Sequence, residues 1–426
     1  MRSEMRRGKI YPYSYVLGQR RKSWWRRLIF LLSVLLPALV LLSELTLRLA
    51  GGWLGLEQVT DKLTNYAYSL STHDNGLSLQ VAYHGSLGYV LMPQRGNFWQ
   101  INEQGLRSHR AISQLPAKGV TRLFLLGNST AFGYGAGDNS KTLAVLVEQA
   151  LNQIVAKQRQ ELANQPPENE FDRDPPPRRR PVVKDTQFQV VTAAVPGYAS
   201  GNQLSLMAHQ IVSLRPDGII LLGGYEDLRL PSSQAIAEIA PIQHLLSDPS
   251  AYARQQMVSG LGQWFNSLYL VRLGRKLAGL SPASPPPLSS YQVFDGNAFS
   301  TDPREIQARV QRLQQNWRKI ALWHIPTLLA LQPEITANPQ QVAQLPSLSS
   351  NYRERLAQNT PYWQKLDLAP LPPTAKFVNM SGIFKQYPNL AFGDPIHLTP
   401  AGNQFLAQAI ASQVLSLFPP ETRKSE

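Results

Sequence analysis

Residues 122–142 read RLFLLGNSTAFGYGAGDNSKT. The run Leu123, Phe124, Leu125, Leu126 is continuous rather than alternating, as in a strand buried on both faces of a parallel sheet. It stops at Gly127, and Asn128, Ser129 and Thr130 follow. Gly, Asn and Ser are ordinary turn residues. Taken alone, the stretch is a strand-to-helix turn as readily as a reactive serine.

The same alternation continues outward. Residues 140–163 have helical period, with Leu143, Leu146, Val147, Ala150, Leu151 and Ile154 on one face and Asn139 or Ser140 as cap. Apolar runs at 188–195, 217–224, 326–333 and 376–382 are further strands. Helices are expected after Gly197, with Leu204, Met207, Ala208 and Ile211 on one face, over 305–323, and over 400–417. In the last, Ala401, Phe405, Leu406, Ile410 and Val414 are expected to point inward. Continuous apolar strands separated by helices predict an α/β fold, a three-layer parallel sheet covered on both faces. Residues 164–185, rich in proline and mixed charge, read as an insertion loop, and 281–290 as a second proline-rich break. Residues 231–300 hold helical pieces of no clear role.

The chain carries a net charge of +14, but nine Lys and Arg against one Glu fall within residues 1–27. The basic character belongs mainly to that tail, which argues against nucleic-acid binding by the core. Residues 28–47, LIFLLSVLLPALVLLSELTL, are about the length of a membrane span. Trp24, Trp25, Arg26 and Arg27 stand at its start as interfacial anchors would. Glu44 interrupts its far end, where Arg48 lies one turn on and can pair with it. A cleaved signal peptide is the rival, but the run is long for one and no clear cleavage site follows. The expected organisation is a cytoplasmic tail (1–27), a transmembrane anchor (28–47), a lead-in (48–119) and an extracytoplasmic α/β domain (120–420). The absence of cysteine excludes disulfides and thiolate metal sites. No His, Asp and Glu cluster has metal spacing, so no cofactor is expected.

In open α/β sheets, sites form at the carboxyl ends of strands. Four polar or glycine-rich breaks fall there. The first offers Ser129, the second Gly197, the third GGYEDL at 223–228, and the fourth FGDPIHLTPAG, in which Asp394 and His397 lie three apart. A carboxylate at that spacing can hold an imidazole by one nitrogen and leave the other to take a proton. A serine hydroxyl needs such a base. Ser129, Asp394 and His397 therefore form a candidate acyl-transfer triad, and sequence alone does not say that they meet. The glycines after Ser129 lack the lysine context of a Walker loop, and GNSTA is not the G-x-S-x-G elbow.

These four breaks, in this order, resemble the blocks of the SGNH (GDSL-type) hydrolases. LLGNSTAFGYG is similar to the nucleophile block, with Asn128 at its usual Asp; VPGYAS to the glycine block; GGYEDL to the Gly-x-Asn-Asp block; and GDPIHLTPAG to the Asp-x-x-His block. VLMPQRGNFWQINEQGLRS resembles the lead-in of membrane-anchored members, and the likeness spans about residues 85–418. The resemblance implies a flavodoxin-like sheet, with Ser129 as nucleophile, His397 as base and Asp394 as its orienter. It implies the N–H groups of Ser129 and Gly197 as oxyanion donors, and acyl esters of small molecules or glycans as substrates. The family's third donor is an Asn side chain, and this chain has Glu226 there. A carboxylate repels an oxyanion unless protonated. Two readings stay open: a serine esterase or O-acyltransferase, or a weak or inactive glycan-binding or assembly protein.

Overall fold

The computed structural model describes residues 24–51, 53–54, 67–71, 78–95, 99–134, 136, 139–164, 183–238, 268–278, 296–344 and 349–420. Most of the basic tail (1–23), most of the proline-rich insertion (165–182), the break at 281–290, and Gly135 and Gly137 lie outside the described residues. The chain divides into two compact units, Met1–Asn65 with Pro249–Ser284, and Tyr66–Asp248 with Pro285–Glu426.

The first unit contains α1 (Trp24–Ala50), long and apolar enough to cross a membrane, with its leucines facing outward. The five residues Leu31–Leu35 form a π-turn. Pro37, just beyond it, lacks an N–H, and a wider turn on its N-terminal side relieves the clash of its ring with the preceding carbonyls.

The second unit opens with the lead-in. Strands β1 (Ala67–Ser71), β2 (Ser78–His84) and β3 (Gly88–Leu91) form an antiparallel sheet, and β4 (Gln94–Arg95) pairs with β5 (Gln100–Ile101). The main sheet begins at β6 (Val120–Gly127), followed by α2 (Ser129–Phe132), α3 (Leu143–Ala163) and β7 (Gln187–Thr192). Next come α4 (Ser200–Leu206), β8 (Gly218–Gly223) and α5 (Tyr225–Arg229). The chain then supplies α6 (Tyr269–Leu277) to the first unit and returns for α7 (Pro303–Ala321), β9 (Thr327–Leu331), α8 (Ser350–Gln364), β10 (Ala375–Asn379) and α9 (Pro400–Leu415).

The five main strands run parallel in the order β10-β9-β8-β6-β7. Counted along the chain this is 2-1-3-4-5, the flavodoxin-like order, whose topological switch lies between the first and third strands. Here those are β6 and β8, paired from Leu123 opposite Gly218 to Gly127 opposite Leu222. Leu123, Phe124, Leu125 and Leu126 are completely buried, each contributing about 1.5–3 kcal/mol by leaving water. Helices α3 and α9 pack together on one face, and α4 packs with α7 on the other. The expected three-layer α/β fold is the one observed.

Several local expectations are corrected. Helix α3 is capped by Thr142, whose hydroxyl accepts from Val145 N at 3.4 Å, because Asn139–Lys141 form a 3-10 turn before it. Its buried line is Leu143, Val147, Leu151 and Val155, four residues apart, which leaves Ile154 exposed. In α9, Ala401 and Phe405 face outward, and Ala407 and Ala411 take the buried positions beside Leu406, Ile410 and Val414. Ala208 is likewise exposed, with Leu206 buried in its place. Helix α8 had no sequence-based expectation. Its mixed polar surface and internal Pro361 hide a buried side of Tyr352, Leu356 and Trp363.

Candidate active site

Ser129 is placed by what surrounds it in the turn after β6. A Cβ on Gly127 would fall 2.1 Å from the Leu222 carbonyl oxygen, so only glycine lets the chain leave the sheet this close to β8. Asn128 then caps α2, its Oδ1 accepting from Thr130 N at 3.2 Å. Ser129 is the first helical residue, a position whose N–H has no partner within the helix. Its side chain is buried and its Oγ makes no hydrogen bond.

The loop after β10 brings in the other two candidates. Its base is clamped by a bridge between Phe392 and Leu398 and by Thr399 N donating to Ala391 O at 2.8 Å. Thr399 also caps α9, accepting from Gly402 N at 3.1 Å, with Pro400 preset at the first helical position. Within this loop Asp394 Oδ1 accepts from Ile396 N (3.0 Å) and His397 N (2.7 Å), while Oδ2 lies 2.6 Å from His397 Nδ1. Burial alone would raise the Asp394 carboxyl. The His397 charge, the bond to its ring and the two backbone N–H groups outweigh that and hold the carboxyl below its ordinary range. A carboxylate at Nδ1 makes that nitrogen the protonated one and leaves the lone pair of the neutral ring on Nε2. The imidazole stacks on Tyr134, ring centroids 4.7 Å apart.

A short polar chain joins the two loops. Asn128 Nδ2 donates to Gln332 Oε1 (2.7 Å), Gln332 Nε2 to Thr130 Oγ1 (3.2 Å), and Thr130 Oγ1 to Ile396 O (3.1 Å). Both neighbours of Ser129 are thus tied to the residue before His397. Ile335 N also donates to Pro395 O at 2.9 Å. No hydrogen bond links Ser129 Oγ to His397.

Gly197 adopts φ +83°, a left-handed conformation natural to glycine, in the turn after β7. That turn is fixed from the lead-in. Tyr89 Oη donates to Pro196 O at 2.6 Å, and Tyr198 Oη donates to the Tyr89 carbonyl. Both phenols are buried in apolar surroundings, which pushes them above their ordinary pKa and keeps them neutral donors. The lead-in also reaches the serine turn. Arg107 Nη1 donates to Phe132 O and Gly133 O, each at 2.8 Å, and its Nε donates to Asn139 Oδ1 at 2.9 Å.

Glu226, in the third break, is buried at the start of α5, but it is not alone. Its Oε2 accepts from Arg229 Nη1 at 2.9 Å, one turn along. Asp227 takes a separate role, accepting from Ser200 N (2.9 Å) and Ser200 Oγ (2.6 Å) and so tying α5 to the start of α4. Glu334 is fully buried just beyond β9, receiving Thr336 N at 2.7 Å and the hydroxyls of Thr336 and Thr360. Desolvation outweighs those bonds and pushes its carboxyl up to about 7.

Sequence reasoning passed over Gln332, Arg107, Tyr89 and Arg229. Gln332 follows the apolar run of β9 as Asn128 follows that of β6, a signal that could have found it. Arg229 lies three residues after Glu226, a spacing that allows the pair, whereas Tyr89 and Arg107 act from outside the four breaks and their partners are set only by packing.

No family model matches the chain and no curated protein matches it. Among solved structures it is similar to the lipase/acylhydrolase from Enterococcus faecalis, with 10% identity and a TM-score of 0.34 over 71% of this chain and 99% of that one. A variant of an acetyl xylan esterase from Geobacillus stearothermophilus gives 13% identity and 0.34 over 71% and 97%. The acetyl xylan esterase AlAXEase gives 13% and 0.30 over 69% and 99%. At TM-scores this low, the strand order of the sheet itself assigns the fold.

Proposed function

We propose that the chain is a serine ester hydrolase or O-acyltransferase of SGNH type, held to a membrane by α1, with its α/β unit outside the cytoplasm. The observation that carries this reading is the 2.6 Å pair of Asp394 and His397 on a loop hydrogen-bonded, through Thr130 and Gln332, to the turn bearing Ser129.

Ser129 Oγ attacks the acyl carbon of an ester while His397 Nε2 takes its proton. The negative charge that develops on the carbonyl oxygen is met by the N–H groups of Ser129 and Gly197. The ester C–O bond breaks, His397 returns the proton to the departing alcohol, and the acyl group stays on Ser129. Water or a sugar hydroxyl then attacks the acyl-serine, giving its proton to His397; the acyl–Oγ bond breaks, the acid or the new ester leaves, and His397 returns the proton to Ser129 Oγ. Asp394 holds the ring and balances the imidazolium formed in each half-reaction. Acyl esters of glycans or cell-envelope polymers fit an active site tethered at a membrane surface.

Glu226 is compatible with this chemistry because Arg229 answers its charge. The guanidinium of Arg229 carries donors and no acceptor, so the pair offsets the negative charge that Glu226 would otherwise bring. The non-catalytic reading draws its support from the same Glu226 and makes the opposite prediction. A serine-directed fluorophosphonate should label the purified full-length chain and fail to label Ser129→Ala. Absence of labelling in the wild type, or equal labelling of the variant, would favour the binding role. A reporter active only after export should work when fused after Glu426, and activity of a cytoplasm-only reporter there would overturn the orientation.

A further inference from the structure

Glu44 is buried near the outer end of the apolar helix α1. A carboxylate in a span is costly unless it is partnered. Glu44 Oε1 accepts from Arg48 Nε at 3.0 Å and from Tyr269 N at 2.9 Å, and Oε2 accepts from Leu270 N at 3.1 Å. Tyr269 and Leu270 open α6, where the preceding Leu268 offers no side-chain cap. The carboxylate of one helix therefore caps the N-terminus of another. The two are also packed together. The Tyr269 ring lies where a Cβ on Gly51 would be, 2.3 Å from the ring edge, and Lys276 Nζ donates to the Leu54 carbonyl at 2.5 Å.

Helix α6 reads YLVRLGRKL. At 100° per residue, Leu270, Leu273 and Leu277 fall on one side and the exposed Lys276 on another, while Arg272 is buried with its guanidinium 4.3 Å from the centre of the Tyr269 ring. Leu277 is 78% exposed, and at the same end of α1 Leu49 is 81% and Trp53 97% exposed. Trp24 and Trp25 are exposed at the opposite end. At 1.5 Å per residue, the helix from Trp24 to Ala50 is about 39 Å long, close to a bilayer with its headgroups, roughly 40–45 Å. Two tryptophan-bearing ends at that separation mark the two interfaces.

We propose that α6 lies in the outer membrane–water interface, its Leu273 and Leu277 edge entering the acyl boundary beside Trp53 and its exposed Lys276 meeting acidic lipid headgroups, with Glu44 fixing it to the anchor. This rests on the anchor reading above. It gives Glu44 a reason to interrupt an apolar run, and it matches the charge and apolar edge of an interfacial helix.

The native chain has no cysteine, so a single Leu277→Cys carrying an environment-sensitive fluorophore reports on this helix alone. The full-length protein is placed in vesicles of phosphatidylcholine with phosphatidylglycerol. The expected result is quenching by a nitroxide on a shallow acyl carbon, protection from aqueous iodide, and a severalfold loss of that quenching when phosphatidylglycerol is omitted. Iodide quenching would place α6 in water. Protection from both quenchers would mean that protein, a second copy or a partner, covers it. Unchanged quenching in neutral lipid would remove the headgroup contact. Each of these three outcomes overturns the proposal. Val34→Cys, labelled likewise, tests the anchor itself with a deep nitroxide: a silent Val34 defeats the anchor reading, whereas a quenched Val34 with an iodide-quenched Leu277 defeats only the placement of α6. Glu44→Gln should shift the Leu277 label toward iodide access while leaving Val34 unchanged.

Discussion

Glu226 and Arg229 form a buried ion pair, Oε2 to Nη1 at 2.9 Å, on the five-residue helix that follows β8. Both side chains are almost wholly removed from water, so neither is a surface charge screened by salt. Removing one partner of such a pair strands the other, at about 3–5 kcal/mol. Glu226→Gln should therefore lower stability by about that amount, while the double variant Glu226→Gln with Arg229→Met should recover part of it. Urea unfolding of the wild type, the two single variants Glu226→Gln and Arg229→Met, and the double variant gives the coupling. Equal stability of the single and double variants would show that the pair is not the interaction that matters.

Ser129→Ala removes the proposed nucleophile from a turn in which its hydroxyl makes no hydrogen bond. Stability should change by less than about 1 kcal/mol, and ester hydrolysis should fall by about three orders of magnitude or more. Activity within tenfold of the wild type would sink the assignment.

Asp394→Asn keeps the shape of the loop but loses the charge that orients His397. A fall of about 10⁴ in kcat is the scale for the equivalent change in a serine protease. The folded-state carboxyl of Asp394 is depressed. Its contribution to stability is therefore present above the unfolded carboxyl pKa, near 3.9, and lost as pH falls below that toward the folded value. Acid unfolding monitored below about pH 4 should be less steep in the variant.

Glu334 has the opposite sign. Its folded carboxyl sits at about 7, above the unfolded value near 4.3. Between these limits the native state holds a proton that the unfolded chain has released, so stability falls as pH rises from about 4.5 to about 7. Glu334→Gln should flatten that decline in denaturation midpoints measured between pH 5 and 8. An unchanged slope would mean that Glu334 is ionised throughout.

Arg107→Ala removes a buried guanidinium that closes the carbonyl end of α2 at Phe132 and Gly133. Both oxygens lose charged donors, worth about 1.5–3 kcal/mol each. Stability should drop, and fluorophosphonate labelling of Ser129 should slow even in the folded fraction, because the serine turn is no longer held. Labelling at the wild-type rate in folded protein would confine Arg107 to stability.

The sequence by itself determined the layered sheet, because a strand buried on both faces must be apolar at every position and a helix between strands must repeat its apolar residues every three to four. It also marked the strand ends, where Asn128, Ser129, Gly197 and Glu226 interrupt the apolar runs, and it paired Asp394 with His397, since three residues of one loop bring two side chains to the same side. The tertiary structure alone decided the rest. Gln332 bridges the serine and histidine loops, Tyr89 and Arg107 reach from the lead-in to the Gly197 and Ser129 turns, and Glu44 caps a helix more than two hundred residues away. Periodicity reports which face of an element is buried. It carries no information about which distant polar group meets another, because hydrogen-bond partners are chosen by the geometry that folding creates.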